Sequence, residues 1–216
     1  MLLTFEEQPS LHDPDQEKAN RDQLSESLGH LLVEYQQGNR QSANDFVALL
    51  HPVLYRYFLA QTGNPAQAED LMQECWVRIH RGRCSYRPGE PVLPWAFAIA
   101  RHTKIDEYRK DSARANREHA VAGSVPMSAG EPVTDPRRAM EQSLAVSAIL
   151  SRLHELPDGQ REVFMLLKVH GMSVDEVASV VGSSRSAVKQ KAYRAYETLR
   201  KWFVQPQADP AGEGVA

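Results

Sequence analysis

Along residues 64–79 apolar side chains recur every three or four positions. Ala68, Leu71, Met72, Cys75, Trp76 and Ile79 fall on one side of a helix, while Glu69, Asp70, Gln73, Glu74 and Arg78 fall on the other. Asn64-Pro65 supplies its start, an N-cap followed by proline at the first helical position. The preceding stretch "DFVALLHPVLYRYFLA" sets Phe46, Leu49, Leu50, Val53, Leu54, Tyr57 and Phe58 on a second helical face, with Pro52 expected to kink or divide it. A loop containing Pro88, Gly89 and Pro91 then leads to a third helix, opened by Pro94, in "WAFAIARHTKIDEYRK". That helix runs from apolar (Trp95, Phe97, Ala98, Ile99) to basic (Arg101, Lys104, Arg109, Lys110, then Arg114 and Arg117).

The C-terminal part repeats the helical period with a different charge. Ser173 and Glu176 form an S-x-x-E capping box, and Val174, Val177, Ala178 and Val181 follow on one face. Gly182 supplies the left-handed residue that ends this helix, and Ser183 or Ser184 caps the next. The buried face of that last helix is predicted to be Val188, Ala192, Ala195, Leu199 and Phe203. Its free face begins with Arg185, Ser186, Lys189, Gln190, Tyr193 and Arg194.

No alternating strand pattern and no internal repeat occurs, so the fold is expected to be all-α: two small helical domains on a flexible tether. Residues 1–29 carry seven acids against Lys18 and Arg21 and read as a loosely ordered acidic arm. Residues 30–117 form the first domain and 118–137 a Gly/Pro/Ser-bearing linker. Residues 138–204 form the second domain, and 205–216 a tail.

A net charge of −3 rules out a polycation that coats nucleic acid indiscriminately, so any DNA contact must come from local patches. The last helix is such a patch: Glu197 is the one acid among Arg185, Lys189, Lys191, Arg194, Arg200 and Lys201. A tight helix-turn-helix presents the start of its second helix to a major groove. There Arg and Lys meet guanine edges and phosphates, Gln meets adenine, and Ser meets either. A solvated face would carry a more balanced mixture of charges.

The aromatic-rich loop feeding the basic third helix suits single-stranded DNA, whose phosphates need cations and whose unstacked bases need aromatic platforms, at about 1–3 kcal/mol per base. Taken alone, Trp95 and Phe97 fit a hydrophobic core better than a DNA surface, and a basic helix end also complements the helix dipole.

Two stretches together resemble a known family. "LPDGQREVFMLLKVHGMSVDEVASVVGSSRSAVKQKAYRAYETLR" resembles region four of bacterial sigma factors. "AEDLMQECWVRIHR" followed by "YRPGEPVLPWAFAIARHTKIDEYRK" resembles region two of the small extracytoplasmic-function group. The resemblance implies a dissociable specificity subunit that binds core RNA polymerase and promoter DNA and is restrained by an anti-sigma protein. It implies polymerase contact through Asp70, Gln73, Glu74 and Arg78. Minus-ten contacts would come from Arg83, Tyr86, Arg87, Trp95, Arg101, His102, Lys104 and Arg109. Minus-thirty-five contacts would come from Ser184, Arg185, Ser186, Lys189, Gln190, Tyr193 and Arg194. His102 stands where many members have asparagine, so the minus-ten preference is not carried over.

Other chemistries fit less well. Cys75, His80 and Cys84 have the spacing C-x4-H-x3-C but lack a fourth zinc ligand, and Cys75 belongs to the apolar stripe. No nucleophile elbow, phosphate loop or H-E-x-x-H is present, so neither an enzyme nor a cofactor is expected. A regulator with a phosphate-receiver domain would need alternating strands and helices. A non-DNA-binding adaptor would not need Lys189 and Arg194. Two cysteines and the lack of a signal peptide or membrane span place the chain in the cytoplasm.

Overall fold

The computed structural model describes residues 14–118 and 153–204. Apart from Glu118 at the end of a helix, the expected linker lies outside these residues, as do the tail and residues 1–13 of the expected arm. The described residues are helical, with no strand among them. Helix α1 spans Pro14–Gln36, α2 Arg40–Thr62, α3 Pro65–Gly82 and α4 Val92–Glu118, with a short 3-10 turn at Arg83–Ser85. The second domain holds α5 (Asp158–Phe164), continued by a π-helical turn at Met165–Val169, then α6 (Val174–Val181) and α7 (Arg185–Val204). Among the described residues no helix is long and apolar enough to cross a membrane.

Residues 14–29 are helical where the charge pattern suggests a loose arm. Asp22 and Glu26 are exposed, while Leu28 and Leu32 are fully buried and Leu24 and Leu31 pack beside them. A few leucines at helical spacing therefore suffice to dock α1 on α2 and α4. Helix α2 runs unbroken through Pro52, and Leu49 lies 40% exposed outside its buried face. At the end of α2, Gly63 adopts φ 67°, and a Cβ there would sit 2.5 Å from His154 Nε2. The left-handed backbone requires glycine, and the His154 ring packs closely against it.

Asn64 caps α3 by accepting from the backbone N–H groups of Ala66 and Gln67. Phe46, Phe58, Met72, Cys75, Ile79 and Phe97 close the first core. Each such side chain contributes about 1.5–3 kcal/mol on burial.

The two domains do not simply hang on a tether. Helix α4 packs on α6, and the apolar core continues from Phe97 and Tyr57 into Val163, Leu166, Met172 and Val177. His170 enters this junction, with its ring centroid 4.6 Å from Phe97 and 6.5 Å from Tyr57. Arg21 of α1 reaches across to the Gly171 carbonyl at 2.5 Å and the Glu176 carboxylate at 3.1 Å.

Burial, helped by the nearby Arg56 cation, holds the His170 imidazole down at about 3. The closed junction thus keeps His170 neutral, whereas a hydrated His170 takes up a proton near 6.5. Its contribution to stability is complete above that value and is lost as pH falls toward 3, by about 1.4 kcal/mol per pH unit. Denaturant midpoints at pH 7.5 and 5.5 should therefore differ more for the wild-type chain than for His170→Gln. Equal differences would show that the junction is insensitive to this group.

Candidate nucleic-acid interface

In the second domain, the Ser173 side chain accepts from the Glu176 N–H, and the Glu176 carboxylate accepts in return from the Ser173 N–H at 2.7 Å. Gly182 at φ 61° ends α6, and Ser184 caps α7 by accepting from the Ala187 N–H at 3.2 Å. This tight turn fixes the rotation of α7, burying Val188 and Ala195. On the outer side Ser184, Arg185, Ser186, Lys189, Gln190, Tyr193 and Arg194 are all exposed. The seven expected residues thus form one stripe along the start of α7. Arg185 Nε meets Asp175 Oδ1 at 2.7 Å across the turn, with both side chains more than half exposed. In water such a pair adds little stability, and it leaves the guanidinium at the groove-facing end of the helix. Phe164 meets Tyr196 edge-on at 6.3 Å, and Lys168 lies 5.6 Å from the same ring.

In the first domain the polar side of α3 divides in two. Asp70 and Gln73 are exposed and Glu74 half-buried, and Val77, 42% exposed, completes a stripe at i, i+3, i+4 and i+7. Val77 is an addition to the expected face: a valine among polar positions was the signal in the sequence. Arg78 turns inward from the stripe, reaching Glu74 at 3.0 Å and Asp106 of α4 at 2.7 Å. The guanidinium holds the Asp106 carboxyl below its usual range, and the pair braces α3 against α4.

The residues expected to take the minus-ten strand are distributed over three environments. Tyr86 is buried, its hydroxyl donating to the Glu90 carbonyl at 2.5 Å and its ring lying edge-on to Trp95 at 5.6 Å. It shapes the loop from inside and offers no stacking face, and burial pushes its phenol up. Arg83 lies 5.3 Å from the Tyr35 ring, and Gln36 Nε2 ties the loop to α1 by donating to the carbonyls of Arg83 (2.6 Å) and Tyr86 (2.9 Å). Between this loop and α1 runs a groove of about 770 Å³, lined by His30, Val33, Tyr86 and Pro94 and edged by the acids Glu26 and Glu90.

On α4, His102 and Arg109 are exposed, whereas Arg101 and Lys104 turn toward the second domain. Their partner is Glu162, which lies 3.3 Å from Arg101 Nε and 3.4 Å from Lys104 Nζ and accepts from the Tyr57 hydroxyl at 2.7 Å. Burial pulls the Lys104 ammonium down against the opposing pull of Glu162. Burial and then the Glu162 charge drive the Tyr57 phenol far up. No local pattern marks Glu162, which reads as an ordinary polar position in "LPDGQREVF".

Cys75 and Cys84 lie in different environments. Cys75 is in the core, where burial pushes its thiol up to about 12, and Cys84 is exposed on the 3-10 turn. His80 is engaged by the Tyr35 hydroxyl at 2.6 Å.

Comparison with known proteins accounts for both halves. Residues 43–114 match Sigma-70 region 2, and residues 147–199 match Sigma-70 region 4. The chain is 30% identical over 173 residues to the RNA polymerase sigma factor CarQ of Myxococcus xanthus, covering 79% of this chain and 94% of CarQ. It is 29% identical over 182 residues to the ECF RNA polymerase sigma factor BldN of Streptomyces coelicolor, covering 83% of this chain and 67% of BldN. Among solved structures, CnrH, determined with the cytosolic domain of CnrY, superposes with a TM-score of 0.60 at 25% identity, covering 82% of this chain and 97% of CnrH. The sigma factor RpoE, determined with the anti-sigma factor NepR from Bartonella quintana, shares the fold with a TM-score of 0.62 at 20% identity, covering 77% of this chain and 99% of RpoE. A two-domain helical protein with a helix-turn-helix at its C-terminal end is thereby defined as a transcription initiation factor. The chain belongs to the sigma-70 family, among relatives of the ECF type.

The α7 stripe makes a quantitative prediction. Lys189→Ala combined with Arg194→Ala should weaken binding to duplex DNA, and each lost phosphate contact should lower the log–log salt slope by about 0.9. Fluorescence anisotropy titrations at several salt concentrations measure both. An unchanged slope would remove these two side chains from the interface.

Proposed function

We propose a division of labour among three surfaces of this sigma factor. The stripe Asp70, Gln73, Glu74 and Val77 on α3 docks on core polymerase, with Arg78 bracing the helix from behind. Helix α7 reads the minus-thirty-five duplex through Arg185, Ser186, Lys189, Gln190, Tyr193 and Arg194. Helix α4 carries the unwound minus-ten strand along Arg101, His102, Lys104 and Arg109, with Arg83, Arg87 and Trp95 at the neighbouring loop.

The groove beside that loop has room for one flipped base. Its acidic edge would accept hydrogen bonds from base amino groups while repelling phosphate, keeping the backbone outside on the basic helix. Opening the duplex costs a few kcal/mol per extruded base, offset by capture of the base and by contacts that polymerase supplies. No chemical step is assigned to this chain, which works in the cytoplasm. Besides polymerase and promoter DNA, its partner is a cognate anti-sigma protein.

The observation that carries the reading is the presence in one chain of two separate basic helices. One lies in a helix-turn-helix with its face to solvent, and the other begins beside a groove large enough to admit a base. Run-off transcription on fragmented genomic DNA tests it, with core polymerase alone and with core plus this chain. New starts sharing two upstream elements at a fixed spacing are expected. If no new starts appear and the chain alone shifts specific fragments, it is a stand-alone regulator instead.

A further inference from the structure

The turn between α6 and α7 holds an ion pair that stability does not explain. Arg185 is the first residue of α7, where a cation opposes the helix dipole. Its Nε lies 2.7 Å from Oδ1 of Asp175 in the first turn of α6, and the two side chains are 68% and 63% exposed. A pair so open to water contributes little to folding. Nor is Asp175 needed to cap α6, because the neighbouring Glu176 carboxylate already accepts from the Ser173 N–H at 2.7 Å. What the pair does fix is direction. With Nε engaged by the carboxylate, the two terminal nitrogens of Arg185 form a fork at the end of the helix that meets the major groove.

Two kinds of acceptor match such a fork, a phosphate and the O6/N7 edge of guanine. Charge separates them. The exposed Asp175 carboxylate neutralises the pair and would repel a phosphate brought to the same fork. Guanine O6 and N7 are uncharged acceptors and meet the fork without that penalty. A lone arginine would serve a phosphate better, whereas an arginine held by a carboxylate serves a base.

We propose that Arg185 reads a guanine in the minus-thirty-five duplex through its two terminal nitrogens, and that Asp175 is the positioning residue that aims them and turns phosphate away. The inference rests on the reading of α7 as the duplex-reading helix, and adds to it a base and a residue of α6. Lys189 and Arg194, further along the exposed stripe, keep the general hold on backbone phosphates. Asp175 thus lowers the affinity for DNA in general while sharpening the selectivity for one base.

The test uses holoenzyme formed from core polymerase and the full chain, on a promoter library randomised through the upstream element, with the bound fraction sequenced. The wild-type chain should select guanine at one position, and Arg185→Ala should relax that preference about tenfold, the weight of one bidentate base contact, with the other positions unchanged. Asp175→Asn should relax the same position. In anisotropy titrations of the full chain with duplex of unrelated sequence, it should also bind more tightly, with a log–log salt slope steeper by about 0.9 as one more cation meets phosphate. A merely structural role would not move selectivity and general affinity in opposite directions.

An affinity loss for Arg185→Ala spread evenly over all sequences would make Arg185 a phosphate contact and overturn the base assignment. An unchanged guanine preference in Asp175→Asn would remove Asp175 from recognition. If the wild-type holoenzyme selects no upstream element at all, the reading of α7 falls as well. An element that is selected but unaffected by Arg185→Ala contradicts this inference alone.

Discussion

A buried carboxylate that accepts from a tyrosine hydroxyl and faces two cations sets how the two halves of this chain meet. Glu162 comes from the second domain, while Tyr57, Arg101 and Lys104 come from the first, and the apolar junction of Phe97, His170 and Met172 closes around them. Removing one partner from such a buried cluster ordinarily costs about 3–5 kcal/mol, because the remaining charges stay dehydrated. The cluster therefore stabilises the packed arrangement of the two domains.

The surfaces outside this junction follow from simpler causes. The left-handed Gly182 and the Ser184 cap, in the turn between α6 and α7, set the rotation of α7, so its basic stripe is fixed by local backbone chemistry. Helix α3 is positioned by its buried face and by the Arg78–Asp106 brace, which leaves Asp70, Gln73, Glu74 and Val77 as a flank of their own. Two of the three surfaces are thus open in the free chain, and the α4 surface is partly covered by the other domain.

How much of this was legible in the sequence depended on the range of the interaction. The Asn64-Pro65 start, the S-x-x-E box and the Gly182 stop act within a few residues and were read directly, as was the stripe on α7. Helix α1 was hidden because acidic composition outweighed four leucines whose spacing mattered more than their number. The burial of Tyr86 was not legible because an aromatic in a loop carries no mark of it until Glu90 and Trp95 fold over it. The brace from Arg78 was not legible either, because its partner Asp106 lies 28 residues away. Glu162 lies 61 residues from Arg101, beyond any local pattern, and the expected tether suggested independent domains where the structure brings them together.

The central claim is tested most directly by the distance between the domains with and without the Glu162 carboxylate. Dyes placed through Asn44→Cys and Ser179→Cys, with Cys84→Ser removing the exposed thiol, leave the buried Cys75 unlabelled. Energy transfer between them should be high in the free chain and fall when Glu162→Ala removes the carboxylate that joins the domains. Low transfer in the free chain, or equal transfer in the variant, would contradict a junction that depends on this cluster.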